Sequence, residues 1–328
     1  RAARSQAYQP VAARLPDVES SLAQSAPSRP GRLKALPEED AEEYAFTFAP
    51  ARQEGGISSP KRGLRAATER SGVEAQLVQQ IAHATSARQI LQLVSHRKAA
   101  QSLDAQTASV ALHRLSRLLP AGGVGNVDKD VAFLLQRVGS AVSELGPQAS
   151  SCTLLAIAWM KLEPTWLPEL FEQCTRHAST YSIHQLATTL HAVATLDALP
   201  NIAGNMDLVE ALHNALRKHQ HKLGPGAISA MDVTRLAGAL SRLQVKDPAV
   251  FLSLALALRQ HVENNGLEVR HVRRVLSAFH TLDFADVPLL RSSCVWLRSR
   301  LQWCAWNELA DISISLSRTQ ALIGENLY

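Results

Sequence analysis

From Val73 onward, leucine, alanine and valine recur at spacings of three and four residues, and glycine or proline punctuates the segments. That rhythm predicts helices, and one helix type returns six times in the same register. Its copies end at Leu118, Leu162, Leu196, Leu243, Leu282 and Thr319, anchors that lie 44, 34, 47, 39 and 37 residues apart. Counting back from each anchor, position −3 holds Leu115, Trp159, Val193, Leu240, Phe279 and Leu316. Position −7 holds Ala111, Leu155, Thr189, Leu236, Val275 and Ile312, and position −10 holds Ala108, Cys152, Leu186, Val233, Val272 and Leu309. At about 100° per residue these columns share one face with the anchor. Position −4 reads Arg114, Ala158, Ala192, Ala239, Ala278 and Ser315, small in all but the first, as close helix pairing requires. We call these the B helices.

A second apolar-periodic stretch precedes each of them, at 74–94, 128–145, 165–177, 207–222, 248–262 and 287–301. These A helices complete six hairpins. Local signals fit the boundaries. Asp247 before Pro248 is an N-cap with proline at the first helical position, Ser182 to Gln185 has capping-box spacing, and Pro120 and Pro164 each follow an anchor by two residues. No hairpin can cover its own apolar face, so stacking is the physical solution. The expected fold is all-α, an α-solenoid of about six degenerate hairpins over residues 73–328.

Residues 1–72 break the rhythm. They hold seven of the fifteen prolines, many Arg, Ser and Ala, and an acidic patch from Glu38 to Glu43. Such a stretch cannot bury enough apolar surface to offset chain entropy, and it is expected to be disordered. The first residue is Arg1, so the true N-terminus is expected to be cleaved away or to lie upstream, and the Arg/Ala/Ser bias before Glu38 fits either the remnant of an organelle-targeting region or a low-complexity linker.

Composition narrows the function only slightly. Apolar residues make up 46% of the chain, enough for a long core, and the formal charge of +5 leans weakly towards an anionic partner. Cys152, Cys174, Cys294 and Cys304 have no CxxC spacing and read as reduced core residues. The longest apolar run, from Ala249 to Leu258, is far short of the roughly 20 residues needed to cross a bilayer, so no membrane insertion is expected. Motifs for chemistry are missing. The glycines of Ala121 to Asn126 lack the Lys-Ser/Thr that a phosphate loop needs and read as a hairpin loop, and Gly224 to Gly226 reads as a helix breaker. His219 and His221 stand two residues apart and lack a third ligand nearby in sequence, so they read as a solvated helix end. We therefore expect no enzyme, no metal and no cofactor. The five tryptophans read mostly as core, with Trp159 in a core column.

The face opposite the apolar stripe carries the functional signal. Position −1 reads Arg117, Lys161, Thr195, Arg242, Thr281 and Arg318, basic in four of six and acidic in none. On the same face lie His113 and His191 at −5, Arg235 and Arg274 at −8, and His184 and Arg270 at −12, with Asp311 the one acid. Positive charge recurring at one repeat position suits a surface that tracks a phosphate backbone, because successive repeats then meet successive phosphates. The residues expected to contact RNA are Arg117, Lys161, Arg242, Arg318, Arg235, Arg270, Arg274, His113 and His191. The alternative is an ordinary solvated face on a protein-binding scaffold. Arg217, Lys218 and Lys222 form a further basic cluster at the end of the fourth A helix, where cations also suit the helix dipole.

The pattern of Leu186 to Leu199 and of Val272 to Asp286, with Asp197 and Asp283 just after the anchor, resembles the degenerate repeats of organellar RNA-metabolism proteins of the FAST-kinase-like and RAP-domain group. Octotricopeptide repeat proteins are similar in style. The segment from Ile81 to Leu118 resembles the usual first repeat of that group, and the likeness covers about residues 73–320. The resemblance implies a mitochondrial or plastid protein acting in RNA processing, transcript stability, translation or ribosome assembly, with single-stranded or ribosomal RNA, or an organellar ribosome, as partner. A RAP domain is not recognisable before Tyr328, which puts any activity tied to that module in doubt.

Overall fold

The computed structural model describes residues 76–99, 103–119, 129–197, 206–224, 226–264 and 267–325; the N-terminal segment 1–72, Pro120 and the glycine-rich stretch 121–126 lie outside them. Among the described residues every regular element is helical. In chain order they are α1 (76–83), α2 (Ala87–Ala99), α3 (Ala105–Leu118), α4 (Lys129–Gly139), α5 (Pro147–Met160), α6 (Leu167–His177), α7 (Ile183–Leu196), α8 (Met206–Lys218), α9 (Ala230–Arg242), α10 (Pro248–Glu263), α11 (Val269–Thr281), α12 (Val287–Arg298) and α13 (Trp306–Glu325). The B helices are α3, α5, α7, α9, α11 and α13, and each packs along its length on the next. The A helices form a second layer whose mutual contacts are sparser, so the B layer is the spine of an α-solenoid.

The caps stand where the sequence places them. The Ser182 hydroxyl accepts from the Gln185 backbone N–H while the Gln185 side chain accepts from that of Ser182, closing a capping box on α7. One Asp247 oxygen accepts from the N–H groups of Ala249 and Val250 at the start of α10. The other oxygen takes His213 Nε2 at 2.9 Å and Arg217 Nε at 3.2 Å, so a single carboxylate both caps α10 and ties it to α8.

Two expectations about the helices are corrected. The first A stretch is broken, with α1 and α2 separated at residues 84–86. Ser86 accepts the Gln89 N–H, and Arg114 donates through Nε and Nη2 to the Ala84 carbonyl that the break leaves open, at 3.2 and 2.9 Å. That pair of hydrogen bonds explains why the small-residue column starts with an arginine.

The second correction is register. Lys161, Gln244 and Asp283 all adopt positive φ (53°, 54° and 57°). In each case the next N–H reaches back across the helix end: Leu162 to Ile157, Val245 to Leu240, Phe284 to Phe279. These helix ends are therefore equivalent, and the residue matching Leu243 and Leu282 is Met160, not Leu162. The spacings around it become 42 and 36 residues. In the corrected register Ile157, Ala156, Thr153 and Ser150 fill positions −3, −4, −7 and −10, all fully buried.

Hydroxyls reinforce the apolar B–B seams. Thr153 donates to Ser109, which donates to the Ala149 carbonyl, and Thr189 donates to Ser151, at 2.8, 2.9 and 3.1 Å. Near the C-terminal end Phe251, Phe279 and Phe284 interlock with ring centroids 5.1 to 5.7 Å apart, fastening α10 to α11. Between α4 and α6, Trp166 lies against Gly139 and leaves no room for a Cβ beside the indole nitrogen. Burial of the cysteines is split: Cys152 and Cys174 are core residues, whereas Cys294 is exposed and Cys304 half-buried.

The Gly139 packing predicts that Gly139→Ala, a substitution that normally favours a helix, lowers stability here by about 1–3 kcal/mol because the indole has to move. Urea denaturation of the two proteins measures it, and an alanine variant as stable as the parent would contradict this packing. Leu236→Ala, in the fully buried −7 column, should cost about 2–5 kcal/mol in the same assay.

Candidate nucleic-acid interface

Stacking the B helices in register turns one position on a helix into a row across the molecule. The solvent side of the B layer carries an open groove of about 820 Å³ whose lining comes entirely from B helices and their caps. α3 contributes Arg117, α5 Trp159, α7 His191, α9 Arg235 and Arg242, α11 Arg273, Arg274 and Thr281, and α13 Asp311. Five arginines thus meet one acid. That acid is paired, since Arg273 lies 3.1 Å from Asp311.

The remaining cations are differently held. Arg235 lies 3.6 Å from Asp232, whose other partner is His184 Nδ1 at 3.0 Å. Burial pushes the Asp232 carboxyl up, but His184, Arg235 and Ser229 outweigh it and keep it below the usual carboxylate range. Asp232 therefore fixes Arg235 and stays ionised. Arg242 and Arg274 have no carboxylate partner among the described residues; Arg242 only grazes the Thr195 hydroxyl at 3.5 Å. Partial burial lowers the pKa of Arg274, and Arg273, Arg270 and Arg242 lower it further. Around Arg242 and Arg274 like charge is concentrated without a carboxylate partner among the described residues, which is the condition for capturing an anion.

Both histidines of the groove face are neutral near pH 7. His191 is pushed down to about 4 by burial, then by Arg235, Arg242 and Arg274. His113 is pushed down to about 3 by burial, then by Arg117 and Arg235. They can hydrogen-bond but add no charge.

The residues expected from sequence separate into three groups. Arg117, Arg235, Arg242, Arg274 and His191 are brought together in the groove lining. His113 is buried beneath it, against Trp159. Arg270, Arg318 and Lys161 lie outside the lining: Arg270 forms an ion pair with Glu268 at 2.6 Å, Arg318 meets His280 Nε2 at 2.9 Å, and Lys161 is the left-handed residue ending α5. Position −1 of α5 belongs to Trp159, so the row reads Arg, Trp, Thr, Arg, Thr, Arg and is basic in three of six. Arg273, which belongs to none of the basic columns of the sequence, sits at −9 of α11, one turn from Ser277 in the groove. His219 and His221 end the fourth A stretch with ring centroids 6.4 Å apart, away from this face. The tryptophans divide as well: Trp296 is core and Trp166 half-buried, but Trp303 and Trp306 are 77% and 88% exposed.

The depressed His113 pKa has a stability consequence with a definite sign. In the unfolded chain His113 titrates near its ordinary 6.5, whereas the folded protein resists the proton until about pH 3. Stability present above pH 6.5 is therefore lost as the pH falls through that window, at about 1.4 kcal/mol per pH unit for this group. Melting temperatures measured from pH 7 to pH 4 should fall, and less steeply in His113→Phe, which keeps a ring against Trp159. Identical slopes would contradict the buried neutral histidine. No protein-family model matches the chain, and the comparison with curated proteins finds no matching relative, so the reading of this groove rests on its own chemistry.

Proposed function

We propose that the chain is an RNA-binding helical-repeat protein that holds single-stranded or ribosomal RNA along the B-helix groove. The observation that supports it is the set of five arginines from three B helices facing one paired aspartate. A polyanion entering there would release its counterions and relieve the repulsion around Arg274, two gains that a neutral ligand cannot supply. No helix among the described residues is long and apolar enough to cross a membrane. The resemblance of the repeats extends the proposal to organellar RNA processing, stability, translation or ribosome assembly, in a mitochondrion or a plastid.

A second reading, a protein-binding scaffold or a structural subunit of an organellar ribosome or other complex, is favoured by a different place. The last described hairpin exposes Val295, Trp303, Trp306 and Ile314, apolar surface of the kind that repeat arrays bury against a neighbour. The two readings use separate surfaces and are tested separately.

Changing Arg117, Arg242 and Arg274 together to glutamate should weaken binding of single-stranded RNA of many sequences. For every phosphate that the variant no longer neutralises, the slope of log K against log salt should shrink by roughly 0.7. Stability should move by no more than about 0.5 kcal/mol per surface substitution. Titrations at several salt concentrations, with melts alongside, measure both. Unchanged affinity and slope in the folded triple variant would reject the groove as the RNA site and leave the scaffold reading.

A further inference from the structure

Trp159 interrupts the row of small, polar and basic side chains that lines the groove. Every residue of α5 from Ala149 to Ala158 is buried, and Trp159 is the first side chain after them to reach the surface, in the row of Arg117 and Arg242. Its indole is held. The His113 ring lies against it in offset-stacked fashion, with centroids 6.1 Å apart and planes 25° from parallel. His113 is itself buried in α3, so the platform rests on the B–B seam and not on a mobile loop. An ordinary core tryptophan is enclosed, as Trp296 is here at 5% exposure; an ordinary surface tryptophan such as Trp306 has no share in the groove.

We infer that Trp159 is a nucleobase-stacking platform, at which an RNA strand whose phosphates follow the groove arginines lays one base on the indole supported by His113. The inference rests on the RNA reading above and deepens it by adding base contact to backbone contact. Arg117, one helix away in the same row, is placed to meet the phosphate next to that base. Because His113 stays uncharged across the physiological range, the support it presents to the indole is a neutral aromatic ring. Stacking of this kind tolerates every base, since each has a π-face, so the site adds affinity without a sequence code.

The test uses the full chain and short oligoadenylate, oligouridylate and abasic ribose-phosphate strands of equal length. The parent protein should bind the base-bearing strands roughly five- to a hundredfold more tightly than the abasic one, the range expected for one stacked base. Trp159→Leu should remove most of that advantage and leave the salt slope unchanged, whereas Trp159→Phe should keep much of it. Equal binding of all three strands by the parent, or a folded Trp159→Leu that retains the full advantage, would overturn the inference. Should the leucine variant not fold, Trp159→Phe assigns the Trp159 signal in fluorotryptophan-labelled protein. That signal has to move on adding oligoadenylate and stay in place with the abasic strand; any other result counts against the platform. If no strand binds the parent, the RNA reading fails and this inference with it. If all strands bind alike, the stacking platform alone fails.

Discussion

An isolated hairpin of this chain would leave the apolar face of its B helix in water, and only another B helix of the same register can cover it. Leu236, Val275 and Leu240 are fully buried for that reason, and the small residues Ala192, Ala239 and Ala278 set how near the helix axes come. Register matching on the buried side has an unavoidable effect on the other side. Positions −1, −5, −8 and −9 of successive helices line up into rows, so a residue type repeated in sequence becomes a continuous surface in space. The groove and its arginines are the solvent side of the same constraint that builds the core.

That coupling explains which features the sequence revealed. Helices whose apolar residues keep to one stripe, such as α9 and α11, show both their buried and open faces, and Arg235, Arg242 and Arg274 follow from counting. α5 is apolar on nearly all sides, from Leu154 to Met160, because it is flanked by α3 and α7 and covered by α6. Its periodicity is therefore silent about rotation, and a shift of two residues passes unnoticed. The left-handed end at Lys161 carries the missing information, but a lysine there gives no composition signal of the kind glycine would. The same shift leaves Trp159 half-buried, packed against the core and also lining the groove. The break between α1 and α2 was hidden for a related reason, since the residue that stabilises it, Arg114, lies thirty positions away in sequence. The exposed Trp303 and Trp306 follow a rule of their own: at the last described hairpin no further described repeat covers them.

The electrostatics carry a cost that argues for a ligand. Arg242 and Arg274 repel one another across adjacent B helices with no carboxylate partner among the described residues, while Asp232 and Asp311 are engaged by Arg235 and Arg273. A fold selected for stability alone would place acids opposite those arginines, as it does at Asp247 on the outer layer. That pair lines the same groove as a tryptophan stacked on a neutral histidine.

The central claim is that RNA lies on the B-helix side of the solenoid. Ultraviolet crosslinking of the full chain to RNA in cells, followed by mass spectrometry of the crosslinked peptides, addresses it most directly. The account predicts nucleotide adducts on peptides from α3, α5, α9 and α11, concentrated around Arg117, Trp159, Arg242 and Arg274. Adducts confined to the A helices, or a protein recovered without RNA, would contradict it.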